Sequence, residues 1–324
     1  MSIARRSVLS AAPALLLGAA RGAAAQDYPT RPVRVIIGFA AGGATDIMAR
    51  LLSSRLSERL GGQPFVVENR PGAGTLLAAE AVARAAPDGY TLMYASSSTV
   101  ITPLINRSST LNVPRDFAAV AIAQASPMIL VANNDFPART IPEIVAMAKA
   151  QPGRITISHP GIGGINHLSL AIFMQRTGTE FTLVPFNGNQ PSLNALMRGD
   201  VNLASDSPFA TRGLLEANRI RPVAVTTARR SAILPEVPAF AEYLPGYDVP
   251  FWSGFIAPRA TPPAILDRLN REVEEILKLP DVLERLRSFG AEPVGGSRES
   301  FQRTIEEDWR RWGEVVRQLG LQGG

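Results

Sequence analysis

"VRVIIGFAAGGATDIMARLLSSRLSERL", residues 33–60, opens on an apolar run, passes through small residues and continues with helical spacing. Val33, Val35, Ile36 and Ile37 read as a strand. Met48, Leu52, Leu56 and Leu60 then recur every four residues beside Ile47 and Leu51, while Arg50, Ser54, Ser57 and Glu58 fall on the other side. That spacing predicts an amphipathic helix covering one face of a sheet. Gly61 and Gly62 are its C-cap candidates, with Pro64 beyond. Between strand and helix, Ala40, Ala41, Gly42 and Gly43 leave backbone N–H groups uncovered at the positive end of the helix. Thr45 and Asp46 are both N-cap candidates. The loop is either a plain tight turn or a seat for an anion, whether phosphate, cofactor or carboxylate.

The alternation continues. "PFVVEN" (64–69), "YTLMYAS" (90–96) and "RPVAVTT" (221–227) read as strands. In the middle of the chain a helix at 140–153, capped by Thr140, precedes a strand at 154–158 and a helix at 164–178 closed by Gly178. A strand at 181–186, a helix at 190–200 and a strand at 201–205 follow. Strand–helix–strand repetition implies an α/β fold with parallel sheets and helices on both faces. Two extended stretches, 117–134, broken at Ser126-Pro127, and 243–258, read as crossings between two such units. Domain 1 is then discontinuous, 26–126 plus 251–324, and domain 2 is 127–250. C-terminal helices at 262–279, capped by Thr261, and 299–320 complete domain 1. The second carries Phe301, Ile305, Trp309, Trp312 and Leu319 along one side, read as packing.

Residues 1–25 hold a basic start (Arg5, Arg6), a short apolar middle and a small-residue end at Ala25, and read as a cleaved secretory signal. "RRSVL" leaves Sec and twin-arginine export equally open. Removing Arg5, Arg6 and Arg21 lowers the formal charge from +5 to +2, because this stretch holds no acids. The basic pI therefore points to no nucleic-acid surface. With no cysteine, the chain has no disulfide, thiolate metal site or cysteine nucleophile.

Three further loops share the character of the first. "YASSSTV" (94–100) ends a strand in Ser96, Ser97 and Ser98, and "HPGIGGINH" (159–167) ends another in glycines before a helix. "NLASDSP" (202–208) places Ser205, Asp206 and Ser207 at a strand end. Together they describe a cleft lined by N–H groups and hydroxyls. No Gly-Lys-Ser/Thr follows any of them, so none is a phosphate loop. "PGAG" (71–74) reads as a turn that starts a helix. A Ser96–His167–Asp206 set can be assembled on paper, but no Gly-x-Ser-x-Gly is present. His159 and His167 lack metal-ligand spacing, and Glu306 and Glu307 read as solvated.

The motifs "VVENRPGAGTLLAAEAVARAAPDGYTL", "HPGIGGINHLS" and "VPFNGNQPSLNALMRGDVNL" resemble the Bug family of periplasmic solute-binding proteins, the TctC-type component of tripartite tricarboxylate transporters. The likeness runs over the whole mature chain. It implies a clamshell of two doubly wound α/β domains, like a type II periplasmic binding protein. In the cleft it would hold a carboxylate ligand for delivery to membrane permease subunits. It further implies a periplasmic monomer with no enzymatic activity, cofactor or metal. By resemblance the first loop, Phe39, Ala40, Ala41, Gly42, Gly43, Thr45 and Asp46, grips a ligand carboxylate. Ser96, Ser97, Ser98, Ser158, Gly161, Gly163, His167, Asn187 and Asp206 would complete the pocket. Gly38 and Ala40 depart from the usual residues and are expected to loosen the first loop, and Asn187 stands where a lysine is frequent. The rival readings are a sensor that signals to a receptor and a hydrolase using Ser96 or Ser98.

Overall fold

The computed structural model describes residues 28–318 and 320–321, so the expected leader (1–25) and Leu319 lie outside the described residues. The chain forms two sheets. The first unit begins β1 (Val33–Ile37), α1 (Ala44–Arg59), β2 (Phe65–Asn69), α2 (Leu76–Ala83), β3 (Thr91–Ser96), α3 (Ser97–Ile105), α4 (Val113–Asp116) and β4 (Phe117–Ser126). The second unit runs β5 (Ile129–Ala132), α5 (Ile141–Ala150), β6 (Thr156–His159), α6 (Ile165–Thr177), β7 (Thr182–Pro185), α7 (Asn189–Arg198), β8 (Leu203–Asp206), α8 (Pro208–Glu216) and β9 (Arg221–Val225). The chain then returns to the first unit with β10 (Phe251–Pro258), α9 (Pro263–Ile276), α10 (Pro280–Ser288), β11 (Glu292–Pro293) and α11 (Arg298–Gln318).

The sheet orders are β11-β4-β10-β3-β1-β2 and β7-β6-β8-β5-β9. Each holds three parallel strands whose first member lies between the other two: β1 between β2 and β3, β6 between β7 and β8. The chain therefore leaves β1, and again β6, in two directions, which opens a crevice at the strand ends where an α/β sheet binds its ligand. The expectation of parallel sheets needs correction. β10 pairs antiparallel with β3 and β4, and β5 antiparallel with β8 and β9. β5 and β10 enter from the other unit without a crossover helix, so nothing compels them to run parallel.

α1 buries Met48, Ala49, Leu52 and Leu56 against Val33, Val35 and Ile37 of β1 and against Leu269 and Val273 of α9. Each such side chain contributes about 1.5–3 kcal/mol of burial. On α11, Phe301, Ile305 and Trp312 are buried, and Trp252 meets Phe301 edge-on at 5.2 Å, so these aromatics are packing. Glu306 and Glu307 are exposed. Three caps differ from expectation. The C-cap of α1 is Leu60, and Gly61 and Gly62 turn left-handed just beyond it. The N-cap of α1 is Gly43, not Thr45 or Asp46, because Asp46 already lies within the first turn and reaches back to the chain before it. The N-cap of α9 is Pro262, not Thr261: the Pro262-Pro263 pair presets the helix start one residue later, and the Thr261 hydroxyl is buried without a partner.

The crossings converge on Thr226, which is 2% exposed. Its hydroxyl accepts the Met128 N–H (2.9 Å) and donates to the Val249 carbonyl (2.8 Å). Its N–H donates to the Met128 carbonyl (2.9 Å), and its carbonyl accepts the Val249 N–H (2.8 Å). One residue thus ties the outgoing strand to the returning one. Thr226→Val keeps the shape but leaves a buried donor and a buried acceptor unpaired. Chemical denaturation should show a loss of about 1–3 kcal/mol, and an unchanged midpoint would show that the hydroxyl carries no load.

Candidate ligand-binding cleft

The first loop is held from within. Gly42 has φ +86°, a left-handed conformation that suits glycine, and turns its N–H to Asp46 Oδ2 (2.9 Å). Asp46, 3% exposed, also accepts the Asn69 amide (2.9 Å) and pairs with Arg50 (3.0 Å). Asn69 donates to the Phe39 carbonyl as well (3.0 Å), so strand β2 fastens both ends of the loop. Burial acts to raise the Asp46 carboxyl, but the bonds from Arg50, Gly42 and Asn69 outweigh it and hold it below the usual carboxylate range. With Gly42 committed to Asp46, the first-turn amides from Ala44 onward remain at the positive end of α1, beside exposed Ala40, Ala41 and Gly43 and half-buried Thr45.

The second unit repeats the device. Gly163 has φ +78° and Gly164 caps α6 with φ −77° and ψ 167°, against −78° and 166° at Gly43. His167 takes the place of Asp46, its Nδ1 accepting the Gly163 N–H (3.2 Å). His159 stacks on His167 at 4.8 Å and 12°, and its Nδ1 meets the Gly161 carbonyl at 2.9 Å. These partners assign the tautomers: a carbonyl only accepts, so His159 carries its proton on Nδ1, whereas His167 carries its own on Nε2. Burial, reinforced by His167, pushes His159 down to about 4, and burial lowers His167. Both rings are neutral at neutral pH.

The remaining two loops follow β3 and β8. Ser96 is the N-cap of α3, its N–H donated to Thr99 Oγ1 (3.2 Å), and Ser97 and Ser98 are buried behind it. Ser207 caps α8 by accepting the Ala210 N–H (3.2 Å). Asp206 is fully buried: Oδ1 accepts the Asn189 side-chain amide and the Ser207 N–H (2.7 Å), while Oδ2 has no partner. Burial pushes this carboxyl up to about 6, only partly offset by Ser207 and Asn189. Ser97 Oγ and Gln124 Oε1 are likewise buried and unpartnered. Strand register puts these tips beside the crossings, with Ser96 opposite Ser253, Ser253 opposite Gln124, and Asp206 opposite Ile129. The two units touch where Gly163 faces Ile105 of α3; a side chain built on Gly163 would meet Ile105 Cδ1 at 3.1 Å.

Several expected residues have other duties. The Ser158 hydroxyl is buried and accepts from Ser192 of α7 (2.8 Å), which fixes that helix on β6. Asn187 and Asn189 are both exposed, and the side-chain amide of Asn189 reaches Asp206. Gly38 does not loosen the first loop: it is buried against Thr75, whose Cβ would lie 2.5 Å from a side chain there. Ser96, His167 and Asp206 are not joined by hydrogen bonds among the described residues, and His167 Nδ1 is already an acceptor for Gly163. Asn69, Asn189 and the Ser205–Asn166 bond (3.0 Å) went unread because amides carry no periodic or spacing signature. A hollow of about 510 Å³ between α8 and α10, lined by Arg212, Leu215, Ile233 and Arg287, contains none of the expected site residues.

Two Gly-Gly helix starts thus stand on two switch-point sheets. The profile of the tripartite tricarboxylate transporter family receptor, TctC, matches residues 48–321. The chain belongs to the TctC family. BugT of Bordetella pertussis is 33% identical over 306 residues, 94% of each chain. Among solved structures, an R. palustris protein with adipate is 37% identical with a TM-score of 0.79, covering 90% of this chain and 98% of its own. MatC from Rhodopseudomonas palustris with bound malate is 32% identical with a TM-score of 0.77, covering 89% and 100%. BugD, a periplasmic binding protein, is 30% identical with a TM-score of 0.77, covering 91% and 99%. This is the family reached from the sequence motifs.

Two outcomes follow from this geometry. Gly38→Ala should cost about 1–3 kcal/mol of stability by overpacking against Thr75, read from its thermal or denaturant midpoint. His159, with its folded pKa depressed below the ordinary 6.5 to about 4, binds fewer protons folded than unfolded between those values. Its contribution to stability is therefore present above about 6.5 and lost as pH falls toward 4. Its ring resonances should titrate near 4 in an NMR pH series, and a midpoint near 6.5 would contradict the buried neutral stack.

Proposed function

We propose that this protein is a periplasmic solute-binding receptor that captures a small carboxylate and hands it to the permease subunits of a tripartite tricarboxylate transporter. The paired Gly-Gly helix starts at Gly43 and Gly164 carry the reading: each aims first-turn amides and a helix dipole at the crevice of its sheet. The adipate and malate in the two R. palustris structures support the same ligand class. Neutral donors suffice to hold an anion, since one charge-assisted hydrogen bond contributes about 1.5–3 kcal/mol and bridging water is nearly as good. The lobes divide at Ser126–Pro127 and again before Phe251, and hinge at the two crossings. Their closure over the ligand makes the surface that the permease recognises.

The protein works as an exported monomer and leaves its ligand chemically unchanged. A hydrolase would need Ser96 linked to a base and the base to an orienting carboxylate. His167 instead offers Nδ1 to Gly163, and Asp206 binds Asn189 and Ser207. A carboxylate panel screened by thermal shift tests the assignment. A ligand at about 100 times its Kd should stabilise the protein by about 2.7 kcal/mol, and Thr45→Ala should reduce the response. Absence of any stabilising carboxylate, or turnover beyond one equivalent with an ester or amide, would overturn it.

A further inference from the structure

The two units also meet away from the crevice. Phe209, in the first turn of α8, meets Phe289 at the end of α10 edge-on, with ring centroids 4.8 Å apart. Beside this pair Gly290, with φ +71°, comes close to the other unit: a side chain built on it would meet Pro208 Cβ and Ile233 Cδ1 at 2.7 Å each. The hollow between α8 and α10 continues the same seam, with Leu215 and Ile233 on one side and Arg287 on the other. Arg212, also on its wall, pairs with Glu216 of its own helix (2.8 Å). Apolar contact therefore holds the seam.

Strand order fixes where this seam lies. In the first sheet β4 and β10, which carry the chain to and from the other unit, separate β11 from β3 and β1. Gly290 stands just before β11, whose Glu292 and Pro293 pair with Ala125 and Gln124 at the crossing end of β4. In the second sheet β5 separates β9 from β8 and β6, and α8 passes from β8 to β9. Ile233 follows β9. The crevice at β1 and β6 and the seam at β11 and β9 thus occupy opposite flanks of the crossings. A rotation about the crossings that narrows one flank widens the other.

Resting on the carboxylate-receptor reading, we propose that the α8–α10 seam opposes closure: the Phe209–Phe289 contact stabilises the open lobes and parts when the crevice shuts over a ligand. Affinity is then reduced by a contact that no ligand touches, because the closed, binding-competent state forms only as the seam is broken.

Phe209→Ala tests this from a position that is 41% exposed. Calorimetry on the full mature chain, with adipate, malate and glutamate as probes, should show binding about two- to tenfold tighter than wild type, the value of one aromatic pair. Every probe that binds should gain by the same factor, because the substitution acts on the lobes and not on the ligand. Phe209→Leu, which keeps apolar bulk without the ring, should fall between, and it carries the comparison if circular dichroism shows the alanine variant misfolded. Unchanged or weaker binding in a natively folded variant, or gains that differ between probes, would overturn the inference. If no carboxylate binds wild-type protein, the receptor reading itself falls; if carboxylates bind and the Phe209 variants match wild type, only the seam's role does.

Discussion

Two segments join the sheets of this protein, and both pass the same threonine. Thr226 binds Met128 on the outgoing segment and Val249 on the returning one through its hydroxyl and its backbone together. Both crossings are therefore fixed to each other at one buried point. The cleft depends on this arrangement. Ser96 and Asp206 sit one or two strands from the crossing segments, so the spacing between the walls is set where Thr226 sets it.

The two walls are variations on one design. Each parallel triple sends its first strand into a Gly-Gly turn, and in each the fourth residue after the first glycine folds back to accept that glycine's N–H. The backbone solution is shared, but the electrostatics differ. Asp46 is an anion neutralised by Arg50, while His167 is a neutral ring stacked on another neutral ring. Neither wall presents a bare cation at its helix start. What each offers an anion is a helix dipole and first-turn amides.

Some buried polar atoms without partners lie near the crossings. In a core they would be defects; here Ser97, Gln124 and Asp206 stand at strand tips, beside the crossings. At Asp206 burial opposes the charge, and the donors from Asn189 and Ser207 all go to Oδ1. β8 is flanked on both sides, by β6 and by β5, and Asp206 itself pairs with Ile129 of β5.

Local pattern determined much of this molecule. Apolar periodicity located α1, α5, α6, α7, α9 and α11, and glycine and proline marked where they stop. The break at Ser126-Pro127 revealed a crossing between the two sheets. Those features are legible because each depends on residues a few positions apart. What only the tertiary structure decided are pairings across long separations: Thr226 with Met128, 98 residues away, and Asn69 with the loop at Phe39, 30 residues away. The antiparallel run of β5 and β10 and the bond of Asn189 to Asp206 belong with them. Hydrogen bonds of that kind leave no periodicity, because an amide or hydroxyl reads the same in a turn, on the surface or in a site until the fold brings its partner to it.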